Sequence, residues 1–312
     1  MAATAACWHD DDMPELPEVE ALAGFLAERT AGRAVVAADV AAIAALKTFD
    51  PPVTALVGCT IAGWTRHGKW LDMRASPAGG APGDDLHLVF HLSRGGWVRW
   101  KEQAPTTPVR PRMGGGTKGP ALALRVRLDD GAGFDLTEAG TRKRLAVHVV
   151  RDPEEIEQVR TLGVDPLADG FDVPALAGLL AAKNQQVKGL LRDQHAIAGI
   201  GNAYSDEILH VARFSPFKLT RSFTDAEVAA LHDATVATLR DAVAAAAGKP
   251  AAELKDAKRR GMRVHGRTGE TCPVCGDVVR EVSFADRSLQ YCATCQTGGQ
   301  VLADRRMSKL LK

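Results

Sequence analysis

Apolar side chains recur every three or four positions over residues 18–30, EVEALAGFLAERT, where Val19, Leu22, Phe25 and Leu26 share one helical face. Pro17 stands where the first turn of a helix tolerates proline. The period then shortens. From 34 to 150 the chain reads mostly as short alternating runs divided by turn signals, with LHLVFHL, GWVRW, LALRVRL, GFDL and RLAVHVV as strands. Two Pro/Gly stretches, SPAGGAPGDD and QAPTTPVRPRMGGGTKGP, read as loops, the second long for a connection. An all-β core behind one leading helix is expected.

The pattern changes again near 152–172, DPEEIEQVRTLGVDPLADGFD, which reads as a connector. From there to about 257 the period is helical, in VPALAGLLAAK, VKGLLRDQH, NAYSDEILHVARF and TDAEVAALHDATVATLRDAVAAAAG, the last opened by a Thr/Asp cap. Residues 262–300 hold four cysteines among short β-type runs. There is no internal repeat. The expected division is a prefix at 1–12, a β domain at 13–151, the linker 152–172, a helical domain at 173–261, a cysteine module at 262–300 and a basic tail at 301–312.

With 312 residues the chain can hold two domains, each with its own core. No apolar run reaches membrane-spanning length, and the first twelve residues lack the basic start and apolar core of a secretory signal. A cytosolic protein is expected. The net charge of +1 is unevenly spread: from Lys258 onward eleven Lys or Arg face five Asp or Glu, which leaves +6. A basic end on a near-neutral chain suits a polyanionic partner. A solvated charged tail is an equal reading of that feature alone.

The cysteines are more specific. Cys272-x2-Cys275 and Cys292-x2-Cys295 stand sixteen residues apart, which fits a tetrahedral four-cysteine zinc site of ribbon type. Paired disulfides would need an oxidising compartment, for which the sequence gives no sign. Four sulfur ligands leave no open position, so one structural zinc is expected, holding the hairpin VVREVSFADRSLQY between the knuckles. Cys7 and Cys59 lack partner spacing and read as a prefix residue and a small core residue. Arg287, at the hairpin tip, would alone be an exposed charge; a zinc-pinned loop in a basic segment points it toward phosphate.

In the middle, VKGLLRDQHAIAGIGNAYSDEILHVARFSP places two helical arms around AIAGIGN. Gly199 and Gly201 permit tight turns and Asn202 can cap the second arm. A helix N-terminus beside a glycine turn favours a phosphate, and Lys188 on the first arm tilts that way slightly. A plain helical corner is the other reading.

Taken together, these pieces resemble the formamidopyrimidine-DNA glycosylase/endonuclease VIII family of DNA repair enzymes over nearly all of residues 13–296. MPELPEVE at 13–20, RHGKW at 66–70, DQHAIAGIGNAYSDEIL at 193–209 and the CPVC…RSLQYCATCQ module carry the likeness. The resemblance implies an α+β multidomain fold: an N-terminal β-sandwich with a leading helix, a helix–two-turn–helix domain, a C-terminal four-cysteine zinc ribbon, and a DNA cleft. It implies a bifunctional DNA glycosylase/AP lyase acting on oxidised or abasic sites in damaged double-stranded DNA. In such enzymes the proline after the initiator methionine becomes a free secondary amine and attacks C1′. An α-amino group, with a pKa of about 8, is partly neutral at working pH. By this match Pro14 is the nucleophile, Glu15 the general acid on the sugar ring oxygen and Glu18 a second carboxylate. Lys69 matches a turn lysine that contacts phosphate and aids elimination. Arg287 matches the finger arginine of β,δ-elimination, and Asn202 and Lys188 match phosphate-binding positions. A monomer without organic cofactor or membrane partner, cytoplasmic and nucleoid-associated, goes with that reading.

Two features depart from the family. While residues 1–13 precede it, the Pro14 nitrogen is a tertiary amide and no nucleophile. MAATAACWHDDD has no structural logic, and its aspartates would sit badly beside DNA, so a true start at Met13 is the favoured reading. Second, HLSRGG places Arg94 where the family's 8-oxoguanine enzymes carry a methionine that fills the gap left by the flipped base. LTEAGTRKRLAV offers Arg142 and Arg144 but no phenylalanine wedge. Lesion and opposite-base preference stay open between 8-oxoguanine/formamidopyrimidine, oxidised pyrimidines and abasic sites. The rival reading is a non-catalytic zinc-dependent damaged-DNA-binding protein; a weaker one is a zinc-ribbon RNA or transcription factor.

Overall fold

The structure is a computed structural model that describes residues 13–81, 83–112, 120–284 and 288–303. The expected prefix, residues 113–119 of the second Pro/Gly stretch, Arg287 and most of the basic tail lie outside the described residues.

Helix α1 runs Leu16–Thr30 with Glu15 at its N-cap and Pro17 in its first turn. Eight strands follow: β1 Val35–Val40, β2 Thr60–His67, β3 Trp70–Ser76, β4 Leu86–His91, β5 Gly96–Lys101, β6 Ala121–Leu128, β7 Gly133–Glu138 and β8 Ala146–Val150. They form two antiparallel four-stranded sheets, ordered β1-β6-β7-β5 and β2-β3-β4-β8. Leu71, Met73, Leu88 and Phe90 from one sheet meet Val126, Phe134 and Leu136 from the other, and Leu22 and Leu26 of α1 join the same core. That is a β-sandwich: alternation puts every second side chain of each strand between the layers. β4 to β8 are the five runs the alternation marks. β1 to β3 are less plain in sequence, because β2 buries only Ile61 outright and β3 is buried on both faces through Trp70–Met73.

The connector carries a short helix, α2 Glu157–Arg160, and Val164 bridges to Ile197 in the helical region. Beyond it lie α3 Val173–Ala182, α4 Val187–Leu191, α5 Asn202–Val211, α6 Asp225–Ala246 and α7 Leu254–Gly261. The Thr224 cap on α6 is present, with Glu227 completing the capping box. Their apolar faces make a second core, and Leu16 belongs to it while the rest of α1 lies against the sandwich. The start of α1 therefore joins both cores. The zinc hairpin is β9 Val279–Ser283 with β10 Ser288–Cys292, followed by α8 Ala293–Thr297.

Candidate active site

Glu15 caps a helix that is not its own. Its carboxylate, 2% exposed, accepts from the backbone N–H of Gly201 at 2.6 Å, Ala203 at 2.9 Å and Tyr204 at 3.3 Å. These are N–H groups that the first turn of α5 cannot satisfy internally, at the positive end of the helix dipole. Leu16 N–H donates to the Gly199 carbonyl at 3.0 Å, which locks the two segments together. This corrects the expectation that Asn202 caps α5. Gly201 stands at the N-cap with no side chain to offer, and Asn202 is the first helical residue. The Asn202 amide instead donates to the Ser288 carbonyl at 2.8 Å, tying α5 to the zinc hairpin.

Glycine at 201 follows from the crowding. A Cβ there would lie 2.4 Å from the Glu15 carboxyl carbon and 2.6 Å from Lys69 Nζ. The same figures show how close Lys69 comes to Glu15. Lys69 rides the β2–β3 turn, where Gly68 at φ 55° packs against Ala198 and Leu162. Arg66, three residues before Lys69, fixes that turn by ion pairs of 2.6 Å to Glu20 of α1 and 2.6 Å to Asp165 of the connector. Burial pulls the Lys69 ammonium down to about 8, against the opposing pull of Glu15. Burial pushes the Glu15 carboxyl up, but Lys258, Lys69 and the Ala203 N–H outweigh it and hold the group below its ordinary value. Glu15 is therefore a carboxylate at neutral pH.

Glu18 accepts from the Glu15 N–H at 2.9 Å and from the Tyr204 hydroxyl at 2.6 Å, and pairs with Lys258 at 3.2 Å. Burial and Glu18 keep the Tyr204 hydroxyl protonated. Pro14 is buried among these groups, and the Met13 carbonyl before it accepts from Lys258 at 2.9 Å. Thus Pro14, Glu15, Glu18 and Lys69, read from two separate stretches, come together. Tyr204 and Lys258 join them unannounced, and Arg66 holds the turn that brings Lys69 there. Nothing in the sequence separates Lys258 from the exposed basic run that follows it.

The cluster opens on a cavity of about 690 Å³ whose walls include Met13, Lys69, His91, Arg94, Arg144 and Asn202. His91 is held neutral, since burial and then Lys69 pull it down to about 4. Arg94 is exposed on the β4–β5 turn, and Arg142 is exposed on the loop after β7, outside the lining.

Lys188 is a correction. Its ammonium does not face solvent, as a phosphate ligand's would. It is buried and donates to Asp206 at 2.6 Å, Ser205 Oγ at 2.8 Å and the Asn202 carbonyl at 3.1 Å. Asp206 also accepts from His265 Nδ1 at 2.8 Å and Gln290 N–H at 3.2 Å. An unpaired aspartate there would be costly, so Lys188 serves the joint between α4, α5 and the hairpin.

The metal-ligating atoms of Cys272, Cys275, Cys292 and Cys295 all lie within 4.8 Å of one another, with Cys275–Cys292 at 3.3 Å and Cys272–Cys295 at 3.9 Å. Tetrahedral Zn–S bonds of about 2.3 Å require edges of about 3.8 Å, so the set fits zinc. His210 Nε2 lies 3.3 Å from Cys272 Sγ and links α5 to this centre.

Comparison with known proteins gives a consistent picture. Residues 13–145 match the family description "Formamidopyrimidine-DNA glycosylase N-terminal domain", 162–252 the "Formamidopyrimidine-DNA glycosylase H2TH domain", and 269–298 the "Zinc finger found in FPG and IleRS". The formamidopyrimidine-DNA glycosylase of Symbiobacterium thermophilum is 32% identical, over 94% of this chain and 93% of its own. An uncharacterized formamidopyrimidine-DNA glycosylase-like protein of Mycobacterium tuberculosis is 59% identical over 50% of this chain and 97% of its own. Among solved structures, Lactococcus lactis Fpg in complex with DNA containing an abasic site superposes with a TM-score of 0.75 at 25% identity, covering 91% of this chain and 99% of that one.

Proposed function

The chain belongs to the formamidopyrimidine-DNA glycosylase family, and on that premise we propose that it is a DNA repair glycosylase with AP-lyase activity whose nucleophile is the amine of Pro14. The observation that carries this is the approach of Lys69 to the carboxylate of Glu15, the residue next to Pro14, at Gly201, beside a cavity of about 690 Å³ whose wall includes Met13, Lys69 and Gly201. A nucleotide swung out of a damaged duplex is the guest in this reading.

The low proton affinity of Glu15 shapes the mechanism. A chain that starts at Pro14 carries a secondary ammonium beside a carboxylate. One proton passing from the ammonium to Glu15 makes nucleophile and acid together. The amine attacks C1′. The bond from C1′ to the base breaks, and the base leaves with its electron pair and takes the proton that the Pro14 nitrogen sheds. The C1′–O4′ bond then opens; O4′ takes the proton from Glu15 and the nitrogen lone pair forms an iminium. Glu15, again a carboxylate, is the base placed to remove the C2′ proton. That elimination expels the 3′ phosphate, whose charge the Lys69 ammonium meets, and a second elimination expels the 5′ phosphate.

Glu18 orders this arrangement through the Glu15 N–H and Tyr204. Arg94 is the group we assign to the gap in the duplex and Arg142 a further DNA contact; Asn202 ties α5 to the hairpin, and in this reading Arg287 is a phosphate ligand. One zinc held by Cys272, Cys275, Cys292 and Cys295 supplies folding energy to that hairpin and no chemistry at the sugar.

One observation favours a second reading for the 312-residue form. There Met13 acylates the Pro14 nitrogen and stands in the cavity wall, which leaves a DNA clamp without a nucleophile. The two forms should therefore differ on a duplex containing a formamidopyrimidine or abasic site. Protein starting at Pro14 should nick it, and the 312-residue protein should bind without nicking. Absence of nicking by both would remove the enzyme reading.

A further inference from the structure

Helix α7 reaches the cluster with one side chain. Lys258 is 6% exposed, and its Nζ lies 2.9 Å from the Met13 carbonyl oxygen, 3.2 Å from Glu18 Oε2 and 3.9 Å from Glu15 Oε1. It also stands over the Tyr204 ring, 5.3 Å from the centroid. The Met13 carbonyl is bonded to the Pro14 nitrogen, and a carbonyl oxygen lies about 2.3 Å from the amide nitrogen, so the ammonium is within about 5 Å of that atom.

We infer that Lys258 is a positioning residue that loosens the proton of the Pro14 ammonium, easing its transfer to Glu15, by holding a fixed positive charge beside it once Met13 is gone. This rests on the Pro14 reading above. A like charge at such a distance disfavours the protonated amine, the device by which some catalytic lysines are activated. Glu15 and Glu18, at the start of α1, favour the ammonium. Lys69 from the β2–β3 turn opposes it, as does the more distant Arg192 at the end of α4. From α5, Tyr204 stays neutral with Glu207 beyond it, and His265 comes from the segment after α7. His91, in the cavity wall, is neutral too.

The α5 N–H groups already meet Glu15, so Glu18 is the chief charge favouring the ammonium, and Lys258 pairs with it. Without Lys258 the amine would sit between two carboxylates with Lys69 as their nearest counterweight. Both the amine and Glu15 would then hold protons more tightly. The state that shares one proton between amine and Glu15 would then lie at higher pH.

The test is the rate of borohydride trapping on abasic duplex against pH, for protein starting at Pro14 and its Lys258→Met and Lys258→Arg variants. Every described helix and strand begins at Leu16 or later, so this form keeps the whole fold. Lys258→Met should move the profile to alkaline pH by about one unit or more, a tenfold loss at fixed pH on the acid limb, while Lys258→Arg keeps its position. An unmoved profile in Lys258→Met overturns the inference and leaves the Pro14 nucleophile standing. If the unmutated protein traps at no pH, the Pro14 reading fails and this inference goes with it. Should Lys258→Met not fold, NMR titration of ¹³C-proline-labelled unmutated protein decides. An amine midpoint below about 8, the usual α-amino value, supports the inference, and one above it overturns it.

Discussion

The Glu15 carboxylate and the Gly201 amide nitrogen lie 2.6 Å apart, although 186 residues separate them in the chain. That contact sets the first carboxylate of the MPELPEVE segment on the positive end of α5. The element that would grip DNA therefore also fixes the group that would move protons at the sugar. Sandwich and helical domain share the site.

Gly201→Ala should break this joint. A Cβ 2.4 Å from the Glu15 carboxyl carbon cannot be absorbed by a flexible side chain end alone, because Glu15 is held by three N–H groups. The expected outcome is a destabilisation of about 1–3 kcal/mol in denaturant unfolding. Nicking should fall by about a hundredfold, since a displacement of this size misplaces the reacting groups. Unchanged nicking would show that Glu15 is free to move.

Lys69 should leave a pH signature. Its folded value of about 8 is below the ordinary 10.5, through burial first. Between those two values the unfolded chain binds a proton that the folded chain does not, so stability rises with pH across the window. Relative to Lys69→Met, the unmutated protein should gain stability from about pH 8 to about pH 10.5, by at most on the order of 3 kcal/mol. Parallel stability curves would contradict the burial of a charge there. In activity, Lys69→Ala should slow strand cleavage more than base release.

Lys188 and Arg94 separate structure from recognition. Lys188→Met leaves Asp206 buried without its ammonium, and should cost about 3–5 kcal/mol of stability. It should leave the salt dependence of DNA affinity unchanged, whereas loss of a true phosphate contact lowers that slope by about one. Arg94 is exposed at the cavity, and Arg94→Ala should weaken discrimination of the base opposite the lesion with little change in stability.

Much of this was legible in the sequence, for local reasons. The cysteine knuckles, the Gly-x-Gly turn between helical arms, the five alternating strands and the capped α6 are each written in contiguous residues. Contacts across the chain were not. Asn202 is a good cap residue by type, yet Gly201 takes the cap position and Glu15 supplies the carboxylate from elsewhere. Lys188 reads as a surface cation until Asp206, eighteen residues on, turns it inward. Lys258 opens a Lys-Arg-Arg run, and only the packing of α7 separates its buried ammonium from the exposed Arg259 and Arg260. The weak alternation of β2 hid an edge strand whose last residues carry the Lys69 turn.

Metal removal should act on one module. Elemental analysis should find one zinc per chain. Chelation should open the 272–295 segment to protease and weaken DNA binding while the sandwich, whose core shares no residue with it, stays folded. Full retention of DNA affinity after verified zinc loss would contradict the role given to the hairpin.

The most direct measurement is the site of the covalent bond. Protein starting at Pro14 is reduced with borohydride on abasic-site DNA, digested with trypsin and read by mass spectrometry. The adduct should lie on the N-terminal nitrogen of the peptide that ends at Arg29. An adduct on the peptide carrying Lys69 or Lys258 would show that a different amine attacks the sugar.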